Sequence, residues 1–252
     1  MKLKVLDLFS GIGGFSLGLE RTGGFETVAF CEIEEYPRKV LNKHWPGVPV
    51  YEDIKELTAE RLMADGIVSD VITGGFPCQD ISVAGKQKGI EAERSGLWSE
   101  LARLIGEIRP KYAIVENVTA LLSGERGRWF QRVLGDLAEI GYDTEWHCIP
   151  ASNLGADHER DRVYIITYPN ESQCEGRRIS IRIYQEYANA CCSNWWQDKP
   201  DVERVAHGIP NQSHRLKAIG NAVIPQISEL IGRAILESID ENKSQQLCLE
   251  RD

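Results

Sequence analysis

The feature that most constrains the fold is a strand-like segment, a glycine-rich turn and a helix-like segment at the start of the chain. Residues 3–9 are mostly apolar and typical of a buried strand. The turn at residues 10–14 follows, and an apolar-periodic stretch from Phe15 indicates a helix. Such a turn lets the backbone approach a nucleotide-like ligand, while the helix N-terminus favours anionic groups. The order predicts an α/β fold with a ligand cradle after the first strand.

The alternation of strand-like and helix-like segments continues along the chain. It predicts a mostly parallel sheet with helices between its strands. Further strands are predicted at residues 27–31, 48–51, 68–73, 112–115, 142–149 and 163–167. Further helices are predicted at residues 34–44, 96–109 and 128–140, and from Pro225 onward.

Acidic residues follow the second and third predicted strands. Glu32 comes about 20 residues after the glycine turn, where a carboxylate suits ribose hydroxyls. Ile33 beside it suits an adenine face, and Asp53 suits an exocyclic amino group. A dinucleotide fingerprint would need a third glycine where Ser16 stands. Taken singly the carboxylates are solvated charges more often than ligands, but as a set they favour an adenosine-containing cofactor.

A second motif follows the predicted strand at residues 68–73. Gly74, Gly75 and Pro77 lead directly to Cys78. Pro77 fixes its own φ and lacks a backbone donor, so Cys78 is held by a stiff, non-helical backbone. Ligands bind outside the carboxyl ends of strands in open α/β sheets, so Cys78 is a candidate nucleophile. The alternative is a small buried hydrophobic residue.

Composition narrows the function classes. In the 252 residues no apolar run approaches the length of a membrane span, and the first residues lack the features of a signal peptide. Seven cysteines without regular spacing fit a reducing compartment, so we expect a cytoplasmic protein. No CxxC pair occurs, and no metal site is expected. The formal net charge of −9 weighs against nucleic acid as a partner without excluding it, because local basic patches decide binding.

Regular patterning fades after residue 168. We expect residues 1–168 to form the main domain and residues 169–210 a small separate lobe. Residues 211–240 would return to the main domain through a helix with a buried apolar face. Residues 241–252 are polar and predicted to form a frayed tail.

Taken together, these motifs resemble those of the DNA (cytosine-5) methyltransferase family. Residues 7–14 resemble its S-adenosylmethionine loop, and residues 75–79 its catalytic loop. Glu116-Asn117-Val118 matches its E-N-V motif, and the Arg160-x-Arg162 pair matches its arginine motif, although the family's Pro-Gln before that pair is here Asp157-His158. Residues 220–223 resemble its closing motif. The matches occur in family order and cover nearly all of the chain except the small lobe.

The resemblance implies a fold and a reaction. The fold is that of the S-adenosylmethionine-dependent methyltransferases, a Rossmann-like, mostly parallel sheet with a small appended target-recognition lobe. The reaction is methyl transfer from S-adenosylmethionine to carbon 5 of a cytosine in duplex DNA. Cys78 would attack carbon 6, Glu116 would protonate ring nitrogen 3, and Arg162, with Arg160 more loosely, would hold the base or the glutamate. The implied cofactor-binding residues are Asp7, Phe9, Ser10, Gly11, Gly13, Gly14, Glu32, Ile33, Asp53, Ile54, Pro77, Leu97, Asn221, Ala222 and Val223.

A DNA substrate implies further contacts. The target atom is inaccessible inside a duplex, so the cytosine must be flipped out of the stack. Basic residues after Cys78 and in the small lobe would contact phosphates. The candidate DNA-binding residues are Gln79, Ser82, Lys86, Lys88, Arg94, Arg177 and Arg178. We expect a monomer whose partner is duplex DNA, with a cognate restriction endonuclease left open.

Other functions fit parts of the pattern. A tRNA cytosine-5 methyltransferase would share the fold, the cysteine and the glutamate. A cofactor-binding protein without catalysis would leave Cys78, Glu116 and Arg162 without roles. A nicotinamide dehydrogenase would lack the third glycine of its fingerprint. The motifs alone do not separate the DNA and tRNA substrates.

Overall fold

The computed structural model describes residues 1–77, 96–156, 158–170, 179–190 and 212–249. The strands are β1 (Leu3–Leu8), β2 (Phe25–Cys31), β3 (Val50–Tyr51), β4 (Val71–Gly74), β5 (Tyr112–Val118), β6 (Tyr142–Pro150) and β7 (Asp161–Pro169). The helices are α1 (Gly14–Arg21), α2 (Glu35–His44), α3 (Ala59–Ala64), α4 (Leu97–Ile108), α5 (Ala120–Ser123), α6 (Arg128–Ile140), α7 (Ile179–Ala190), α8 (Gln212–Asn221) and α9 (Pro225–Leu249). Short 3₁₀ turns lie at Ile54–Glu56, Gly124–Gly127 and Ala151–Leu154.

The strands form one sheet in the order β3-β2-β1-β4-β5-β7-β6. The neighbouring pairs from β3 to β5 are parallel, whereas β7 runs antiparallel to both β5 and β6. The strand order reverses between β1 and β4. Open α/β sheets bind their ligands at this reversal, which we call the switch point. The predicted mostly parallel α/β sheet is confirmed, and the two predicted motif loops lie at this reversal.

Apolar side chains cover both faces of the sheet. One core contains residues of α3, α4 and α6, and the other contains residues of α1, α7 and α9. The predicted apolar face of α9 is confirmed, because Ile227, Ile231 and Ile235 are fully buried. None of the helices in the described ranges is long and apolar enough to span a membrane.

Helices α1 and α9 approach each other closely through glycine. A Cβ on Gly14 would lie 2.2 Å from the carbonyl oxygen of Val223, and one on Gly18 would lie 2.0 Å from that of Pro225. Any larger residue at these positions would force the helices apart. The return of the chain to the main domain at residues 211–240 therefore depends on small residues in α1.

The predicted element boundaries needed local correction. Strand β4 begins at Val71 rather than at residue 68, because the Asp70 carboxylate accepts a hydrogen bond from the Lys4 N–H and pairs with Lys111. Strand β5 continues through Val118, so Glu116 lies inside the strand and not after it. The extension follows from pairing with β7, in which Glu116 lies opposite Tyr164.

The expected loss of regular structure after residue 168 is wrong for α7. Isoleucines alternate at its start in a strand-like pattern, which hides the helical period. Ile179 and Ile183, four residues apart, are both buried in the core beside α9. This part of the predicted small lobe therefore packs on the main domain. Helix α9 runs on to Leu249, since residues 241–249 contain no glycine or proline, so the described part of the predicted tail is helical.

Candidate active site

The glycine-rich turn between β1 and α1 has a left-handed backbone. Phe9, Gly11 and Gly13 have φ values of 52°, 53° and 84°. Gly13 cannot carry a side chain, because its Cβ would lie 2.6 Å from the Trp45 ring. A Cβ on Gly11 would meet no atom within 4 Å, so the turn is open on that side. The turn thus presents bare backbone at the switch point.

Glu32 fixes this turn from the end of β2. Its Oε2 accepts a hydrogen bond from the Gly11 N–H at 2.7 Å, and its Oε1 accepts one from the Glu34 N–H at 2.8 Å. Ser10 joins the ends of β1 and β2, since its N–H donates to the Cys31 carbonyl at 3.2 Å. Burial raises the pKa of Glu32 above its ordinary value. The predicted carboxylate and turn are therefore brought together.

Asp7 lies beneath the turn and is not exposed to a ligand. Its carboxylate is fully buried and accepts hydrogen bonds from the Ser16 and Thr73 hydroxyls, both at 2.8 Å. Burial raises the pKa of Asp7 to about 7. The Asp7 side chain does not contact a ligand as predicted, because it is fully buried, and its carboxylate joins β1 to α1 and β4.

The predicted adenine-binding residues occupy different environments. Ile33 is 68% exposed, and the Arg38 guanidinium donates to its carbonyl at 3.0 Å. Asp53 is half-buried and accepts a hydrogen bond from the Lys55 N–H at 2.9 Å. The Ile54 side chain is buried in the core beneath β3, so the prediction that it contacts a cofactor is wrong for the side chain.

Glu116 and Arg162 form the charged centre of the site. Arg162 Nε lies 3.0 Å from Glu116 Oε1. Burial raises the pKa of Glu116 above its ordinary value, although the nearby Arg162 opposes this shift. Because β5 and β7 are antiparallel, Arg162 lies diagonally across from Glu116 on the same face. Arg162 was predicted to hold the base or the glutamate, and the structure shows the contact with the glutamate.

Arg160 has a different partner from Arg162. Its guanidinium donates to the carbonyl of Gly220 at 2.6 Å and to that of Ala222 at 2.8 Å. Its backbone φ is +35°, which turns the chain before β7 begins. Arg160 therefore holds the segment from Gly220 to Ala222, whereas it was predicted to hold the base or the glutamate, more loosely than Arg162. The neighbouring Val223 is half-buried and packs against Gly14.

The segment after β4 meets Glu116 directly. A Cβ on Gly75 would lie 3.0 Å from Glu116 Oε2. The Asn117 side-chain amide donates to the Phe76 carbonyl at 3.3 Å, and the Phe76 ring packs on Trp98 with centroids 5.5 Å apart. Asn117 thus fixes the backbone just before Cys78. The sequence contained this signal in the E-N-V motif, but only Glu116 was assigned a role.

The remaining predicted site residues divide into two groups. Pro77 and Leu97 are half-buried at the two edges of the described segments, and Asn221 is exposed at the end of α8. The others lie outside the described residues: Cys78, Gln79, Ser82, Lys86, Lys88, Arg94, Arg177 and Arg178. Within the described ranges no group of histidine, cysteine and acidic side chains is arranged to hold a metal ion.

Comparison with known proteins decides the family. Residues 3–208 match the family model described as C-5 cytosine-specific DNA methylase. The chain belongs to this family. The region that matches the C-5 cytosine-specific DNA methylase model contains the glycine turn, Glu116 and Arg162.

Several C-5 methyltransferases are similar to the chain. It is 38% identical over 168 residues to the Type II methyltransferase M2.BsuMI of Bacillus subtilis, covering 65% of this chain and 41% of that protein. It is 31% identical over 226 residues to the Type II methyltransferase M.CviJI of Paramecium bursaria Chlorella virus IL3A, covering 89% of this chain and 57% of that protein. The chain thus spans about half the length of these relatives. The Dnmt2 methyltransferase of S. pombe shares the fold, with a TM-score of 0.59, 20% identity, and coverage of 81% of this chain and 58% of that one.

Proposed function

We propose that the chain is a DNA cytosine-5 methyltransferase that transfers a methyl group from S-adenosylmethionine to a flipped cytosine. The observation that carries the proposal is the Glu116–Arg162 pair, with its 3.0 Å contact, next to Gly75 on the segment that leads to Cys78. A buried carboxyl group of raised pKa beside a cysteine-bearing segment suits proton donation to a base. Family membership supports DNA as the substrate.

The residues at the glycine turn fit the cofactor. The open side of Gly11 leaves room for a ligand against bare backbone, and the Glu32 carboxylate stands beside it to accept from ribose hydroxyls. The exposed Ile33 side chain and the half-buried Asp53 carboxylate would hold the adenine ring. When bound there, S-adenosylmethionine would supply an electrophilic methyl group.

The chain's own residues would activate the cytosine. In the proposed reaction the Cys78 thiolate attacks carbon 6, which makes carbon 5 nucleophilic. Glu116 in its protonated form donates to ring nitrogen 3 as negative charge develops there, and Arg162 keeps that carboxyl group in place. Once carbon 5 has formed its bond to the methyl group, loss of the carbon 5 proton to water expels the Cys78 thiolate, and return of the nitrogen 3 proton to Glu116 releases the product.

Covalent trapping with a fluorinated substrate tests this proposal. Duplex DNA of mixed sequence with 5-fluorocytosine blocks release, because carbon 5 carries no proton to lose. Incubated with S-adenosylmethionine, the wild-type chain should form a denaturation-resistant DNA adduct, and Cys78→Ser should not. Cys148→Ser is the matched control, because Cys148 is an exposed cysteine on the edge strand β6, which β7 separates from the Glu116 strand β5.

The outcomes separate the rival functions. An adduct that depends on Cys78 and forms on DNA supports the proposal. Trapping or methyl labelling of tRNA alone would overturn the choice of substrate. Cofactor binding without any adduct would indicate a binding protein, and a Cys78→Ser adduct equal to wild type would refute the nucleophile assignment.

The location and assembly of the protein are further proposals. We infer a cytoplasmic monomer that acts on duplex DNA, because the cysteine usage fits a reducing compartment and the described residues bury apolar cores on both faces of the sheet within one chain. Lys86, Lys88 and Arg94, with Arg177 and Arg178, are proposed to contact phosphates. A cognate restriction endonuclease stays a proposal, as does the target-recognition role of residues 169–210.

A further inference from the structure

Arg103, on the middle of α4, makes more polar contacts than its place on a surface helix requires. Its Nη2 donates to the carbonyls of Ile54 and Leu57, at 3.1 and 2.9 Å. Its Nε and Nη1 donate to Glu100 at 2.9 Å and to Glu107 at 2.8 Å. Neither the motifs nor the proposed chemistry gives this residue a role.

The geometry of this cluster requires arginine. A guanidinium offers donors in a fixed planar fork, so one side chain reaches two carbonyls while the glutamates hold it in place. Lysine would bring a single ammonium group and could not span the same acceptors. Glu107 adds a contact of its own, since its Oε2 accepts from the Ala59 N–H at 3.2 Å. Helix α4 therefore holds the segment from Ile54 to Ala59 through hydrogen bonds to three of its backbone groups.

The segment that α4 holds determines the position of the Asp53 carboxylate. Asp53 is the residue before the 3₁₀ turn at Ile54–Glu56, and its carboxylate accepts from the Lys55 N–H inside that turn. The side chain of Ile54 anchors the same turn in the core. A shift of the turn would carry the Asp53 carboxylate with it.

Helix α4 also contacts the opposite part of the site. Its residue Trp98 packs on Phe76 and donates to Asp136 on α6 at 2.7 Å, so the start of the helix is fixed near the end of β4. One rigid helix therefore contacts both the segment before Cys78 and the turn that bears Asp53. Arg103 is the link on the Asp53 side.

We propose that Arg103 is a positioning residue that sets the Asp53 carboxylate for recognition of the adenine amino group of the cofactor. The proposal rests on the function proposed above, because Asp53 matters only if the site binds an adenosine group. Arg103 acts through the turn and does not contact the ligand. Its loss should therefore reduce selectivity for adenine more than it reduces turnover at saturating cofactor.

Selectivity between two cofactor products measures this directly. S-adenosylhomocysteine carries the amino group, and S-inosylhomocysteine carries an oxo group in its place. Calorimetry on the wild type should show a preference of about fivefold to tenfold for the adenosine compound, as expected for one hydrogen bond. Arg103→Gln and Asp53→Ala should each remove most of that preference, and the double variant should lose no more than Asp53→Ala alone.

Two further variants keep the test decisive. Arg233→Gln removes an arginine that pairs with Glu229 on α9, and it should bind both compounds as wild type does. Arg103→Lys retains the positive charge but not the planar set of guanidinium donors, and it replaces Arg103→Gln in the test if that variant fails to fold. Amide hydrogen exchange at Leu57, whose N–H bonds to the Ile54 carbonyl, should be faster in both Arg103 variants without any ligand.

The results distinguish failure of this proposal from failure of the proposed function. If wild type binds neither compound, the cofactor assignment is wrong. Amide exchange at Leu57 that is no faster in the Arg103 variants than in wild type would then also refute the role of Arg103 in holding the turn. If wild type prefers the adenosine compound and Arg103→Gln and Arg103→Lys keep the full preference, the positioning role is overturned. In the Arg103 variants, a fold-loss of turnover at saturating cofactor equal to the fold-loss of adenine selectivity would also contradict the positioning role.

Discussion

The two sides of the switch point are built in different ways. On the cofactor side, which comprises the glycine turn, Glu32 and the turn after Asp53, side-chain carboxylates bind backbone N–H groups. On the base side, which comprises Gly75, Glu116 and Arg162, two charged side chains bind each other across neighbouring strands. The cofactor side is therefore sensitive to shifts of the backbone, and the base side to changes of side-chain charge.

This contrast follows from what each side must do. In the proposed reaction the adenosine part of the cofactor does not change, so fixed donors and acceptors on a rigid turn are enough to hold it. A base that acquires charge needs a proton and a cation poised nearby, and these come from titratable side chains. Substitutions on the two sides should thus separate binding from turnover.

Glu116→Gln should give the largest effect, confined to the base side. The amide keeps the shape of the carboxyl group but cannot supply the proton, so single-turnover methyl transfer to DNA should fall by about 10²–10⁴. Affinity for S-adenosylhomocysteine, measured by calorimetry, should be unchanged. An equal loss of cofactor affinity would show that the two sides are not independent.

Gly14→Ala should give the next largest effect, on the cofactor side. Its Cβ would meet the Val223 carbonyl at 2.2 Å, and overpacking of this kind costs about 1–3 kcal/mol. Cofactor affinity should fall by about 10-fold to 100-fold if the turn absorbs that strain. Gly135→Ala is the matched control: it lies in α6 with no atom within 4 Å of its Cβ, and it should bind normally. Unchanged affinity in Gly14→Ala would contradict the coupling of α1 to residues 220–223.

The smallest expected effect is a shift in the pH dependence of the rate, which should differ between Arg162→Gln and Arg160→Gln. The rate depends on protonated Glu116, so it should fall as pH rises through the raised pKa of that group. Arg162 and, less strongly, Arg160 lower this pKa, so the fall should move to higher pH in Arg162→Gln and less far in Arg160→Gln. Arg160→Gln should instead raise KM for the cofactor by about threefold to tenfold, because it releases the Gly220 and Ala222 carbonyls. A larger pH displacement in Arg160→Gln would reverse the two assignments.

The sequence predicted the parts of the fold that depend on local pattern. The strand, glycine turn and helix at the start of the chain are confirmed, as is the buried face of α9. These segments have one apolar period each and clear turn residues at their ends. Glu32 lies beside the glycine turn because the carboxyl ends of adjacent parallel strands meet, but its hydrogen bond to the Gly11 N–H was not predicted.

The failures share a different cause. Ile54 and Asp7 sit at motif positions, yet tertiary packing turns both side chains into the protein. The hydrogen-bond partners of Arg160 are the carbonyls of Gly220 and Ala222, about 60 positions away in the sequence, and no local pattern reveals them. Helix α7 was missed because its isoleucines alternate as in a strand, and the helical choice is decided by burial beside α9. Side-chain direction, unlike element type, is a property of the assembled core.

The contact of Gly14 with Val223 has a consequence for synthesis of the protein. The first helix of the chain is completed early by the ribosome, but its glycine face meets only a segment made more than two hundred residues later. Until then the apolar residues of α1 lack the isoleucines of α9 that cover them. Such long-range closure is slow and leaves the nascent chain exposed to aggregation and to chaperones. Under the proposed function, affinity for S-adenosylmethionine would then report that the late segment has docked beside the glycine turn.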